Sequence, residues 1–179
     1  MGQASEQLID DHAAVDKLLK QIQCALGSKD LEVAHAKLDL FWARLAVHIR
    51  AEHLHLFPAV LNSAAKNAFA PSLDEAERNI SELRGDHDFF MHELARAVEI
   101  TRQLLTDRSG LEEGLNDVNN IVSAVESRLV KHNESEESQI YNWATTLLNP
   151  EEQTILASKI TTELRKHPPR FTLSTWMNE

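Results

Sequence analysis

Four long stretches of this chain carry apolar residues at alternating three- and four-residue steps, a spacing typical of amphipathic helices that pack together in a bundle. Each apolar seam is interrupted, in phase, by histidine or glutamate. The interrupting residues are His12 in the first stretch, His48 and Glu52 in the second, His87 in the third, and His132 and Glu136 in the fourth. Because burying an unpaired carboxylate or imidazole is costly, these positions need a compensating partner in the core.

The same patterns set the expected fold class, which is all-α. Glycine and proline are scarce, with five of each, and this favours long helices. The predicted helices cover about residues 4–26, 31–61, 73–106 and 111–148, with a shorter fifth at about 151–166. We expect an up-down-up-down four-helix bundle over residues 1–149. Residues 150–179 form a C-terminal helix and tail, whose Phe171, Leu173 and Trp176 are expected to pack on the bundle within a single domain.

Composition excludes several classes of site and partner. The single cysteine, Cys24, rules out an internal disulfide and a cysteine-based metal cage, and its place near the end of the first helix suggests a buried residue. A net charge of −10 argues against nucleic acid or an anionic membrane as a partner. No segment resembles a signal peptide or a membrane span, so we predict a cytoplasmic protein without a membrane partner.

The polar interruptions repeat as a motif. His48-x3-Glu52 is followed by Phe57-Pro58, and His132-x3-Glu136 is followed by Tyr141 at almost the same offset. On a helix, residues four apart share a face. A lone histidine precedes each pair, in Asp11-His12 and in Asp86-His87.

Counting residues from each turn at about 1.5 Å per residue places all four histidines in one layer of the bundle. Four imidazoles and two carboxylates that can bridge form a plausible cage for two metal ions. Imidazole suits zinc, copper and iron, whereas bridging carboxylates suit harder ions. The mixture favours a di-iron centre, with manganese or zinc as the alternatives.

These motifs resemble the hemerythrin-like, or HHE cation-binding, family over about residues 8–145. The resemblance implies a four-helix bundle that holds two irons bridged by Glu52 and Glu136. It also implies that the four histidines of the layer are terminal ligands. Ferritin-like proteins instead space the same residue types as Glu-x-x-His, which is not the pattern here.

One position departs from the family pattern. Many hemerythrins carry two histidines four apart on the third helix, but here Met91 lies four after His87 and the histidine follows at His92. A regular helix turns His92 about 140° away from His87, so we interpret it as a surface residue. The alternative is a π-bulge that turns His92 inward as an additional ligand.

The remaining polar candidates are interpreted as supporting or surface residues. Histidines off the seams are expected at the surface, namely His35, His53 and His167. We expect His55 to support the site or join the core, and Asp16 to support the site or be solvated. Glu134 and Glu137 are expected to form a solvated acidic face.

The functional hypothesis follows from the resemblance. We expect a non-haem di-iron protein that binds a small diatomic ligand, oxygen or nitric oxide, for sensing, scavenging or carriage. The alternatives are an iron-handling protein that stores or donates iron, for example in the repair of iron–sulfur clusters, a di-iron redox enzyme acting on oxygen or peroxide, and a helical interaction module with a vestigial site. The sequence leaves the oligomeric state open, with a homo-oligomer among the alternatives.

Overall fold

The computed structural model describes residues 2–67, 71–172 and 175–176, and every regular element in that part of the chain is helical. The α-helices are α1 (Gln3–Gly27), α2 (Leu31–Ala51), α3 (Phe57–Ala64), α4 (Leu73–Thr106), α5 (Leu111–Ser135), α6 (Tyr141–Leu147) and α7 (Pro150–Leu164). The predicted all-α class is therefore confirmed. Leu173, which we expected in the packed tail, lies outside the described residues.

Local signals explain where the helices begin. The Asp30 side chain accepts the backbone N–H of Val33 and caps α2, and Ser72 caps α4 in the same way. Asn149 begins α7 with a reciprocal capping box, and Pro150 occupies the first turn, where its missing N–H costs nothing. Gly110, with a φ of 76°, makes the left-handed turn before α5.

Two π-helical turns interrupt the second and fourth long helices, and each begins at a glutamate of the repeated motif. The turn Glu52–Leu56 joins α2 to α3, and the turn Glu136–Ile140 joins α5 to α6. In each turn a backbone N–H bonds to the carbonyl five residues earlier, from Phe57 to Glu52 and from Tyr141 to Glu136.

The π turns shift the buried face of both helices by one residue. The three- and four-residue spacing predicts that the seam continues after Glu52 through His55 and Ala59, and after Glu136 through Gln139 and Trp143. After Glu52 the structure instead buries Leu56 and Val60. The same shift follows Glu136, where the buried residues are Ile140 and Ala144 instead of the predicted Gln139 and Trp143. The predicted seams are therefore wrong beyond each glutamate, because a π turn adds a residue that a regular helix lacks.

The long helices pack side by side around a shared core. α1 packs against α2 and α5, α2 packs against α4, and α4 packs against α5. The apolar core forms two clusters, one with Phe90 and one with Phe57. Phe90 meets the His132 ring edge-on at 5.3 Å, and Phe57 stacks on His87 at 6.0 Å between centroids. The polar layer thus lies between two apolar clusters.

The C-terminal segment covers one side of the bundle. α7 packs on α1 and α2. The Trp176 side chain is buried, and its indole N–H donates to the Leu164 carbonyl. Arg44 of α2 donates to the Trp176 carbonyl at 3.0 Å, which ties this segment to a helix that carries site residues. Among the described helices, none combines the length and apolar character needed to cross a bilayer.

Candidate metal centre

The six residues that interrupt the predicted seams meet in the interior, and none of them is more than 6% exposed. They form two groups that share both carboxylates. The first group, named the His12 site, consists of His12, His48, Glu52 and Glu136. The second, named the His87 site, consists of His87, His132, Glu52 and Glu136. Within each group the candidate ligand atoms all lie within 4.8 Å of one another.

Each carboxylate directs one oxygen into each site. Glu52 places Oε1 at 3.4 Å from His48 Nε2 and Oε2 at 3.3 Å from His87 Nε2. Glu136 places Oε2 at 3.4 Å from His12 Nε2 and Oε1 at 3.2 Å from His132 Nε2. This is the arrangement in which two carboxylates can bridge two cations.

In each site one aspartate orients one imidazole. His48 Nδ1 lies 2.9 Å from Asp11, and His132 Nδ1 lies 3.2 Å from Asp86. An ionised carboxylate only accepts hydrogen bonds, so Nδ1 carries the hydrogen and the Nε2 lone pair of the neutral ring faces the site. Such carboxylate–histidine pairs commonly set the tautomer of metal ligands.

An arginine holds each of these aspartates in place. Arg44 donates to Asp11, and Arg128 donates to Asp86. Burial acts to raise the pKa of Asp11, but the hydrogen bond with His48 and the charge of Arg44 outweigh it and lower that pKa. Each arginine lies four residues before the histidine that its aspartate holds.

The other two imidazoles are held by residues that we expected at the surface. His12 Nδ1 lies 3.0 Å from Glu137, and His87 Nδ1 lies 2.9 Å from His53 Nε2. The prediction of His53 as a surface residue is therefore wrong, because it is half-buried, whereas Glu137 keeps 40% of its side chain exposed and only its contact with His12 was not predicted. Both directly follow a glutamate of the motif, within a π turn that changes the direction of the side chains after it.

The inward nitrogens fit a cation. The Nε2 atoms of His12 and His48 are 3.2 Å apart, and those of His87 and His132 are 3.0 Å apart. Two neutral imidazoles that both present lone pairs at this distance need a proton or a metal ion between them. Two nitrogens and two oxygens per site form a donor set suited to first-row transition metals.

The carboxylates give a second sign that a cation fits. Glu52 Oε2 and Glu136 Oε1 are buried beside His87 Nε2 and His132 Nε2, at 3.3 and 3.2 Å, but neither oxygen has a hydrogen bond of good geometry among the described residues. A buried carboxylate oxygen without a partner is costly, and metal coordination is one of the few ways to satisfy it. The residues present therefore fit two metal ions.

When no metal is bound, protons supply part of the positive charge that the layer needs. Burial opposes protonation of His48, but Glu52 and Asp11 outweigh it and raise its pKa well above the usual value. Burial also opposes protonation of His132, yet Glu136 raises that pKa above the usual value. Burial lowers the pKa of His87 to about 2, so this ring is neutral. A metal must therefore displace protons from one histidine in each site.

Tyr141 reaches the His12 site, which the sequence analysis did not predict. Its hydroxyl oxygen lies 3.2 Å from His12 Nε2, 3.2 Å from Glu52 Oε1 and 3.3 Å from Glu136 Oε2. The signal in the sequence is its offset of five residues from Glu136, which the π turn converts into a shared direction. Burial, with the two nearby carboxylates, raises the pKa of Tyr141 well above 10 in the metal-free protein.

Other candidates lie outside the cluster. The side chain of His92 is 74% exposed, because α4 is a regular helix there and the alternative π-bulge is absent from it. His55 is half-buried and lies 3.7 Å from Glu163. His35 was expected at the surface but is half-buried against Thr101. Cys24 was expected to be buried but is exposed.

Comparison with known proteins identifies the family. A search of curated proteins found no match, and a search of solved structures found none. A family model, described as the hemerythrin HHE cation binding domain, matches residues 3–144 and so spans all six residues of the cluster. The resemblance noted in the sequence is confirmed, and the chain belongs to the hemerythrin HHE cation-binding family.

Proposed function

We propose that this chain is a non-haem di-iron protein that binds a small diatomic ligand, oxygen or nitric oxide, for sensing, scavenging or carriage. One observation carries the dinuclear part of the proposal. Two buried groups of ligand atoms share both of their carboxylates, and each carboxylate offers one oxygen to each group. Two carboxylates aimed in this way are explained by two cations and not by one.

The choice of iron rests on the donor set. Each site offers two imidazole nitrogens and two carboxylate oxygens. This mixed donor set suits iron better than a set of oxygens alone or of thiolates alone does. Manganese and zinc remain the alternative metals. Iron in such a site supplies redox chemistry and coordination positions that small molecules can take. The protein holds candidate ligands in fixed tautomers and places the layer between two apolar clusters.

Burial supports a small ligand. Both glutamates are fully buried, so a large substrate has no direct route to them. A pocket of about 60 Å³ lies beside Leu83, Asp86 and Ile140, and Asp86 holds the His132 ring. A space of this size suits a molecule of a few atoms, since water occupies about 30 Å³ in the liquid. The same burial supports retention of the metal over its donation to other proteins.

We also propose an arrangement for the whole chain. The short connections at residues 28–30 and 107–110 support alternating up and down directions for the four long helices. In this proposal residues 1–149 are the metal-binding domain, and residues 150–179 are an accessory segment, whose α7 packs on α1 and α2. An exposed Cys24 thiol is compatible with the reducing environment of the cytoplasm, where we place the chain.

The test is reconstitution with ferrous iron without oxygen, followed by elemental analysis and by spectra under oxygen, nitric oxide and peroxide. We expect two irons per chain and a new absorption band on adding oxygen or nitric oxide. A stable, reversible oxygen band supports carriage, whereas rapid one-way oxidation supports an enzyme or a sensor. One iron per chain or none contradicts the dinuclear centre. Rapid loss of iron to a weak chelator supports the iron-handling alternative.

A further inference from the structure

The two sites differ in one donor atom at an equivalent position. Phe57 follows Glu52 by five residues, and Tyr141 follows Glu136 by five residues, each across a π turn. Their rings occupy matching places, since Phe57 stacks on His87 at 6.0 Å and Tyr141 stacks on His12 at 5.9 Å. The phenylalanine has no polar atom, whereas the tyrosine brings a hydroxyl group to the His12 site.

We propose that the Tyr141 hydroxyl oxygen is a further protein ligand of the metal ion in the His12 site, and that the His87 site has no matching ligand. The inference rests on the proposed dinuclear centre. On metal binding the O–H bond of Tyr141 breaks, an oxygen–metal bond forms, and the proton leaves to solvent. No electron is transferred in this step.

The position of the hydroxyl group supports ligation. Its oxygen lies within 3.3 Å of three ligand atoms, one on His12 and one on each glutamate, and all three belong to the His12 site. Tyr141 is 1% exposed and packs in an apolar cluster, so its hydroxyl group is buried beside the candidate ligands. An oxygen held at hydrogen-bond distance from three ligands of one metal lies where that metal can bind it.

The carboxylate oxygens of the two sites also differ in whether a hydroxyl group lies next to them. The two His12-site oxygens, Glu52 Oε1 and Glu136 Oε2, both lie at hydrogen-bond distance from the Tyr141 hydroxyl oxygen, which can donate its one hydrogen to either of them. The two His87-site oxygens, Glu52 Oε2 and Glu136 Oε1, have no hydrogen bond of good geometry among the described residues. Near the His87 site, Phe57 supplies no donor in place of the tyrosine.

Charge balance also favours a phenolate. Two divalent ions carry more positive charge than two carboxylates neutralise, and in a buried site the remainder is poorly screened. A phenolate supplies a further negative charge at the His12 site. That site then has five protein donors, whereas the His87 site has four. A small exogenous ligand therefore binds at the His87 site, where more of the coordination sphere is free.

The composition of the chain makes the test direct, because Tyr141 is its single tyrosine. Zinc-loaded protein is compared with metal-free protein at the same pH by ultraviolet difference spectroscopy. Ferric protein is examined for a phenolate-to-iron charge-transfer band, and metal content is measured on every sample. We expect one tyrosinate per chain in the wild type, none in Tyr141→Phe and two in Phe57→Tyr. The double variant Phe57→Tyr/Tyr141→Phe should keep one tyrosinate, now at the His87 site.

The outcomes separate this inference from the dinuclear proposal. Two metal ions per chain without a tyrosinate signal would overturn the inference and leave the dinuclear centre intact. Such a result would mean that Tyr141 stays a neutral phenol that donates to the glutamates. A tyrosinate signal with one metal ion per chain would support the inference and overturn the dinuclear centre. Protein that binds no metal overturns both. If Phe57→Tyr does not fold, the wild type and Tyr141→Phe still decide the inference.

Discussion

The His12 site and the His87 site are built from the same parts, and the parts that differ are as informative as those that repeat. In both sites an aspartate holds one histidine through Nδ1, and an arginine one turn before that histidine holds the aspartate. The second histidine is held by the residue that directly follows a motif glutamate. The repeated parts orient ligands, so we expect equivalent substitutions to have similar effects in the two sites.

Two positions break the repeat. The residue that holds the second histidine is the carboxylate of Glu137 in the His12 site but the imidazole of His53 in the His87 site. The ring above the site is Tyr141 in the first and Phe57 in the second. The Glu137 carboxylate gives the His12 site more negative charge, and the proposed Tyr141 phenolate adds to it. We therefore expect the two metal ions to differ in affinity and in their room for exogenous ligands.

The largest effect should come from the parts that the sites share. Glu52→Ala or Glu136→Ala should remove both metal ions, because each carboxylate serves both sites. Elemental analysis of iron-loaded variants measures this loss. Glu134→Ala is the matched control, because Glu134 is exposed and lies two residues from Glu136. If Glu136→Ala retained two ions per chain, the shared bridge would be wrong.

A change of pH should affect both sites in the same direction. The pKa values of His48 and His132 are raised in the metal-free fold. The protonated rings therefore stabilise that fold fully at pH values below the unfolded pKa of about 6.5. This stabilisation is lost as pH rises through the folded pKa values. Metal needs neutral histidine, so its stabilisation grows with pH. When the metal concentration is a hundredfold above the dissociation constant, the stabilisation by metal should reach about 2.7 kcal/mol near neutral pH and vanish near pH 5. Thermal melts with and without zinc at both pH values check this. Equal stabilisation at both would place the metal on the surface.

The aspartates should act on one site each. Asp11→Ala should weaken metal binding in the His12 site, and Asp86→Ala in the His87 site, by about 10–100-fold, the usual range for a residue that orients a ligand. The loss of Asp11 should cost more stability, since its side chain is 9% exposed against 22% for Asp86 and its removal leaves Arg44 without that partner. Zinc titration with elemental analysis gives the affinities, and urea unfolding gives the stability. Equal weakening of both sites by one substitution would contradict separate support.

The smallest effect should separate the rings. Phe57→Tyr should weaken azide binding to the ferric protein by about tenfold, roughly 1.4 kcal/mol, because a phenol oxygen would compete for the free position in the His87 site. Tyr141→Phe should weaken it much less. Azide titration followed by visible absorption measures both. Stronger loss in Tyr141→Phe would place the exogenous ligand in the His12 site.

The sequence could predict which residues form the polar layer but not which residues hold the histidine rings of that layer in place. No π turn interrupts α4, and its predicted bounds of 73–106 match the helix Leu73–Thr106. The motif glutamates also lie in phase with the seams up to the π turns. A π turn has no strong local signature, because packing against the rest of the bundle selects it. His53, Glu137 and Tyr141 follow these turns, so a regular-helix projection could not place them.

Other differences between prediction and structure have local causes. Cys24 follows the buried Ile22 by two residues on α1, which turns it about 200° away from that residue and out of the core. His92 was expected to point away from His87, and the exposed side chain agrees with a regular helix in α4. Helical phase is therefore a sound guide wherever the helix stays regular.

The most direct test of the paired centre is anomalous X-ray diffraction from crystals of the iron-loaded protein, recorded on both sides of the iron absorption edge. We predict two iron peaks inside the bundle, one between His12 and His48 and one between His87 and His132, with Glu52 and Glu136 contacting both. A single peak, or peaks only at surface carboxylates, would contradict this prediction.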